Sequence, residues 1–65
     1  MCEANAYWME KGTERLIMES VDILRPDNDG TWNLINIFGD QKTIRGRVLE
    51  MNLVNHRIVF EPFLK

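Results

Sequence analysis

Apolar and polar residues alternate over short segments of this chain, and turn-forming residues separate the segments. Ala4, Ala6 and Trp8 alternate with Glu3, Asn5 and Tyr7, the two-residue period of a strand with one buried face. Residues 31–38 read Thr-Trp-Asn-Leu-Ile-Asn-Ile-Phe, rich in residues that pack well on a pleated surface. Residues 44–53 form another apolar segment, and Gly46 inside it predicts a bulge or sharp bend. Arg57–Glu61 reads as a short buried strand that Pro62 stops. The punctuation between segments is Glu10-Lys11-Gly12-Thr13, then Asp27-Asn28-Asp29-Gly30 behind Pro26, then Gly39-Asp40-Gln41, and finally Asn55-His56.

Residues 14–24 admit two readings. Leu16, Ile17, Ser20, Val21 and Leu24 would line one face of a helix. The same stretch also divides into a strand over 14–18, a bend at Glu19-Ser20 and a strand over 21–24. Periodicity alone leaves these close to even, and the strand–turn rhythm on either side favours strands. The expectation is an all-β domain of five to six short antiparallel strands spanning residues 1–65. A small barrel suits them better than an open sheet, because closure removes exposed edges.

Composition narrows the setting. The chain has 65 residues, 45% of them hydrophobic, enough for a globular fold. A core of this size supplies only about 3–5 kcal/mol, so small folds usually add a disulfide, a metal or a partner. One cysteine cannot make an internal disulfide, and a homodimer becomes the default. The net charge of −2 argues against a protein built mainly to grip phosphate backbones. No apolar run approaches the roughly 20 residues of a membrane-spanning helix, and no basic-then-apolar leader opens the chain. A lone thiol fits a reducing compartment, so a cytoplasmic location is expected.

The single cysteine is residue 2. Removal of Met1 would make Cys2 a terminal chelator, whose amine and thiolate close a five-membered ring on one ion. The backbone nitrogen of Glu3 can close a second ring. Thiolate with amine or amide nitrogen in a flat arrangement suits Ni(II) or Cu(II). The carboxylate of Glu3 reads instead as a solvated charge at a strand edge. A buried, inert cysteine is the usual alternative, but chain ends are poorly buried unless tied down. His56 is the only histidine and reads as a polar turn residue. Met9, Met18 and Met51 fall in apolar segments and read as core. Lys42, Arg45, Arg47 and Arg57, with Tyr7, Trp8 or Trp32 as stacking surfaces, raise the alternative of RNA binding, though scattered bases in an acidic chain read better as a solvated face. A protein-interaction scaffold is the other alternative. No nucleophile–base–orienter set is present, and the Asp27-Asn28-Asp29-Gly30 run lacks the downstream glutamate of a calcium loop. The chain therefore does not read as an enzyme.

Several short motifs together resemble the CooT family of small nickel-binding proteins, some of whose members carry the description of predicted RNA-binding protein. They are Met1-Cys2 followed at once by a strand, Val21-Asp22 within the second segment, and Asp29-Gly30 at a hairpin. Leu34 through Phe38-Gly39-Asp40, Gly46 in an apolar strand, Glu50 through Leu53, and His56-Arg57-Ile58-Val59-Phe60 complete the set. The resemblance implies an SH3-like barrel, a homodimer, and Ni(II) bound through Cys2, with the Glu3 nitrogen the candidate second ligand on chelation grounds. It also implies a metallochaperone or nickel store serving a nickel enzyme such as carbon monoxide dehydrogenase. In a dimer, two Cys2 thiolates with one nitrogen each would give a flat two-sulfur, two-nitrogen site; alternatively, each subunit could hold its own ion through local chelation. Low-spin Ni(II) favours that plane, whereas Zn(II) seeks a tetrahedron.

Overall fold

A computed structural model describes residues 3–63. Six strands carry almost all of the order: β1 (Ala4–Glu10), β2 (Thr13–Pro26), β3 (Thr31–Asn36), β4 (Gln41–Arg45), β5 (Arg47–Asn52) and β6 (Arg57–Glu61). A single 3₁₀ turn, Asn28–Gly30, separates β2 from β3. The all-β expectation holds, as does a break at each of the four turn signals. No helix among the described residues is long and apolar enough to cross a membrane.

The ambiguous stretch is a strand. β2 runs through 14 residues, and Ser20 sits inside it at φ 55°. The left-handed backbone at Ser20 shifts register, so Ala4 faces Val21 while Ala6 faces Met18. This kink lies at the expected bend, and it turns β2 without ending it. The first half of β2 therefore pairs with β1, and the second half with β3.

The strand order is β4-β3-β2-β1-β6-β5 in one sheet. Neighbours are antiparallel except for β1 and β6, which run parallel with Asn5 opposite Arg57 and Trp8 opposite Phe60. That pair departs from the wholly antiparallel expectation, and its cause is topological. The first and last strands have no connection between them to dictate a hairpin. β2 also departs, being long and bent where short strands were expected.

The two edge strands, β4 and β5, follow one another in the chain, so the sheet must curl to bring its ends together. Gly46 makes the corner. Its N–H donates to the Gly30 carbonyl at 3.0 Å, and its own carbonyl accepts from the Trp32 indole at 3.2 Å. A β-carbon at this position would lie 2.5 Å from the Glu61 carbonyl oxygen and 3.0 Å from the Trp8 ring. The backbone passes there with no room for a side chain, and the corner is the sharp bend that Gly46 predicts.

Inside the curl, Ala4, Ala6, Met18, Val21, Leu34, Ile58 and Phe60 form the buried cluster. Phe60 and Leu34 are fully buried, and Phe60 packs its ring 5.9 Å from that of Trp32. Burial of such side chains contributes roughly 1.5–3 kcal/mol each. Met18 joins the core as expected, Met9 is half-buried, and Met51 is exposed. The alternation of β5 is broken by a register shift between Val48 and Glu50. Val48 packs against the core while Met51 faces outward.

Candidate functional site

Cys2 lies outside the described residues, but Glu3, the residue that follows it, is described. Glu3 is exposed at the entry to β1. Its carbonyl oxygen lies 2.8 Å from Nδ1 of His56, which donates to it in the Nδ1–H tautomer. His56 stands on the turn before β6 at φ 56°, a left-handed conformation that histidine tolerates better than most side chains. Its own carbonyl accepts the Asn5 N–H at 2.8 Å. The Asn5 side chain in turn accepts the N–H of Ser20 at 3.2 Å. The start of β1 is thus fastened on one side to the turn before β6 and on the other to the kink of β2.

The bond from His56 takes the carbonyl of Glu3 and not its nitrogen, the candidate ligand. The histidine that reads as a polar turn residue is, in space, the neighbour of the N-terminal strand. Sequence reasoning missed this because 53 residues separate the two. The one available signal was that a barrel brings its first and last strands together. Among the described residues, no three His, Cys, Asp or Glu side chains converge as metal ligands.

Glu3 and His56 form a ridge between two depressions. One, of about 300 Å³, is a mainly apolar groove that includes Ala4, Val21, Leu24, Met51, Leu53 and Ile58. The other, of about 530 Å³, is bounded by Asn5, Glu19, Ser20 and Phe38. An exposed apolar side chain lines each depression: Leu53, 63% exposed, the first and Phe38, 74% exposed, the second. Phe38 is presented by a stapled turn. Asn36 is buried, and its side-chain oxygen accepts the N–H groups of Phe38 at 3.0 Å and of Asp40 at 2.9 Å.

The basic residues divide into two kinds. Arg47 pairs with Glu61. Arg57 bonds both carboxylate oxygens of Glu14 at 2.7 Å and lies over the Tyr7 ring at 4.6 Å. That hydrogen bond to Glu14 holds the guanidinium above its ordinary range. Lys42 and Arg45 make no ion pair among the described residues. Arg45 and Arg47, which alternate in sequence, are parted by the corner at Gly46 onto separate strands. Trp32 is committed to Phe60 and Gly46, and Tyr7 to Arg57.

A sequence model described as "CO dehydrogenase accessory protein CooT" matches residues 1–61. The chain belongs to the CooT family. A crystal structure of a protein assigned as CooT from Carboxydothermus hydrogenoformans superimposes with a TM-score of 0.88 at 40% identity. That match covers 97% of this chain and 100% of the other. An uncharacterized protein of Archaeoglobus fulgidus is 54% identical over 26 residues, which are 40% of this chain. The chain spans 58% of the length of that curated relative. CooT membership bears out the resemblance seen in the short motifs, and with it the barrel. CooT is by description a CO dehydrogenase accessory protein.

Proposed function

We propose that this CooT protein carries Ni(II) on its N-terminus, through the Cys2 thiolate and the nitrogen of Cys2 or Glu3, and serves a nickel enzyme such as carbon monoxide dehydrogenase. The observation that carries the reading is the anchoring of Glu3. The fastened strand start supports a terminus that meets an ion with less ordering to lose. Family membership supplies the accessory role, and the donor set supplies the metal. Thiolate with amine or amide nitrogen fits a planar d⁸ ion, while raw affinity alone would favour copper. The thiol and any amide must lose protons on binding, so nickel uptake weakens as pH falls.

The protein acts as a homodimer in this reading. Phe38 and Leu53, which share the two depressions with Glu3, are exposed apolar side chains that a second copy would cover. Two termini would then share one ion as a flat two-sulfur, two-nitrogen site. The role is that of metallochaperone or store in the cytoplasm, where the thiol stays reduced. A surface site releases its cargo to a client without opening the barrel.

The test is anaerobic titration of tag-free protein with Ni(II), followed by ultraviolet–visible absorption and native mass spectrometry, with Cys2→Ala in parallel. Thiolate-to-nickel charge-transfer bands are expected in the parent and absent in the variant, with the mass reporting ions per dimer. A chain verified to begin at Cys2 that takes up no nickel would sink the proposal. Salt-sensitive RNA retention that survives Cys2→Ala would favour an RNA-binding barrel instead.

A further inference from the structure

The barrel is not hydrogen-bonded all the way round. β3 pairs with β2 only from Val21 to Pro26, and β1 occupies one edge of the first half of β2. The other edge of that half has no strand partner among the described residues. Among the described residues β4 pairs with β3 alone, so its outer edge is open too. Lys42 spans the gap, its Nζ donating to the carbonyl of Ile17 at 3.2 Å.

A cleft of about 460 Å³ fills this gap. Trp8, Ile17 and Ile44 are its half-buried apolar side chains, and Arg15, Lys42 and Arg45 are its exposed cations. Glu10 is the one carboxylate, and it accepts the Trp8 indole N–H at 3.2 Å. None of the three cations makes an ion pair among the described residues, unlike Arg47 and Arg57. A chain of net charge −2 thus concentrates unpaired positive charge around an apolar base, between two open strand edges.

We propose that this cleft docks an extended, acidic segment of a partner protein by strand addition. Open edges present alternate unpaired N–H and C=O groups that a peptide backbone can pair with. Residues two apart on a strand share a face, so Arg15 with Ile17 and Lys42 with Ile44 set cations beside apolar groups, and a guest strand meets them with acidic and apolar residues two positions apart. The geometry favours a peptide over single-stranded RNA on two counts. Strand edges complement a peptide backbone and not a sugar–phosphate one. Glu10 also opposes a phosphate chain, which carries charge at every unit, more than a peptide able to place its carboxylates away from it. Lys42 alone would serve as a guard against edge-to-edge aggregation. A guard does not require an apolar cleft or two further cations. The proposal does not depend on nickel, because the cleft shares no lining residue with the Glu3–His56 ridge.

The experiment is selection of short random peptides displayed on phage against the full, nickel-free chain, followed by amide chemical-shift mapping with the enriched peptides and with oligouridine. Enriched sequences are expected to carry acidic and apolar residues two positions apart. They should move the amides of residues 13–18 and 41–45 and slow their hydrogen exchange. Binding should fall by about tenfold in Arg15→Glu and in Lys42→Met, both at exposed positions, with the fold checked by circular dichroism. Enrichment without acidic residues at that spacing, no enrichment, or shifts confined to other strands overturns the proposal. Oligouridine moving those amides while no peptide does so overturns it as well, and assigns the cleft to single-stranded RNA.

Discussion

The two ends of β1 offer different surfaces. At its start, Glu3 and His56 sit between depressions lined by the exposed apolar side chains Phe38 and Leu53. At its far end, Trp8 lies among Arg15, Lys42 and Arg45. The separation from Glu3 to Trp8 is about 16 Å along the strand, at about 3.3 Å per residue. An apolar rim beside a chain terminus suits a self-complementary contact with a second copy. An unpaired cationic rim beside open strand edges suits a partner of opposite charge. One strand thus separates a surface suited to cargo from one suited to a partner, and each can vary without rebuilding the other.

The strongest way to break this contrast is to remove the core that both ends share. Phe60→Ala should cost about 3–5 kcal/mol, comparable to the whole stability expected of a domain this size. Loss of the cooperative transition in chemical denaturation, with both surfaces lost together, is the expected outcome. A variant that keeps its midpoint would show that Phe60 is not the keystone its full burial implies.

Gly46→Ala probes the cationic end more locally. The added methyl meets the Glu61 carbonyl and the Trp8 ring, and overpacking of this kind costs about 1–3 kcal/mol. The corner between β4 and β5 must shift. Amide chemical shifts should therefore move at Trp8 and through β4 and β5 while those of Glu3 and Asn5 stay in place. Equal disturbance at both ends would mean that they are mechanically coupled.

The smallest effect belongs to His56→Asn. Asparagine tolerates the left-handed backbone at φ 56°, so the variant removes the ring and spares the turn. One hydrogen bond to the Glu3 carbonyl is lost, worth about 0.5–1.5 kcal/mol. Nickel competition titrations should show affinity falling several-fold, with the melting temperature nearly unchanged and the cationic cleft unaffected. Unchanged affinity would show that His56 does not help to position the terminus.

Much of the fold was legible because its signals are local. Gly12, Gly30 and Gly39 mark turns that need positive φ, and Pro62 closes the last strand. Alternation in Ala4, Ala6 and Trp8 foretold which face of β1 is buried. Residues 14–24 were harder, because one kinked strand that changes partner shows no single period. Met51 misled for a related reason. An apolar residue next to a register shift can face either way, and composition does not say which. Ile37 and Phe38 continue the β-forming run of 31–38, yet they leave the sheet because Asn36 caps the turn with its own side chain.

By itself the sequence determined the strand class, the turn positions, the corner at Gly46 and the candidate chelating terminus. Each of these depends on residues within a few positions of one another. Only the tertiary structure decided that β6 lies parallel beside β1, that His56 holds Glu3, and that Trp8 meets the cations of β4. Those contacts join residues far apart in the chain. They exist because a small sheet must curl on itself to bury Phe60 and Leu34, and that closure depends on the whole set of strands at once.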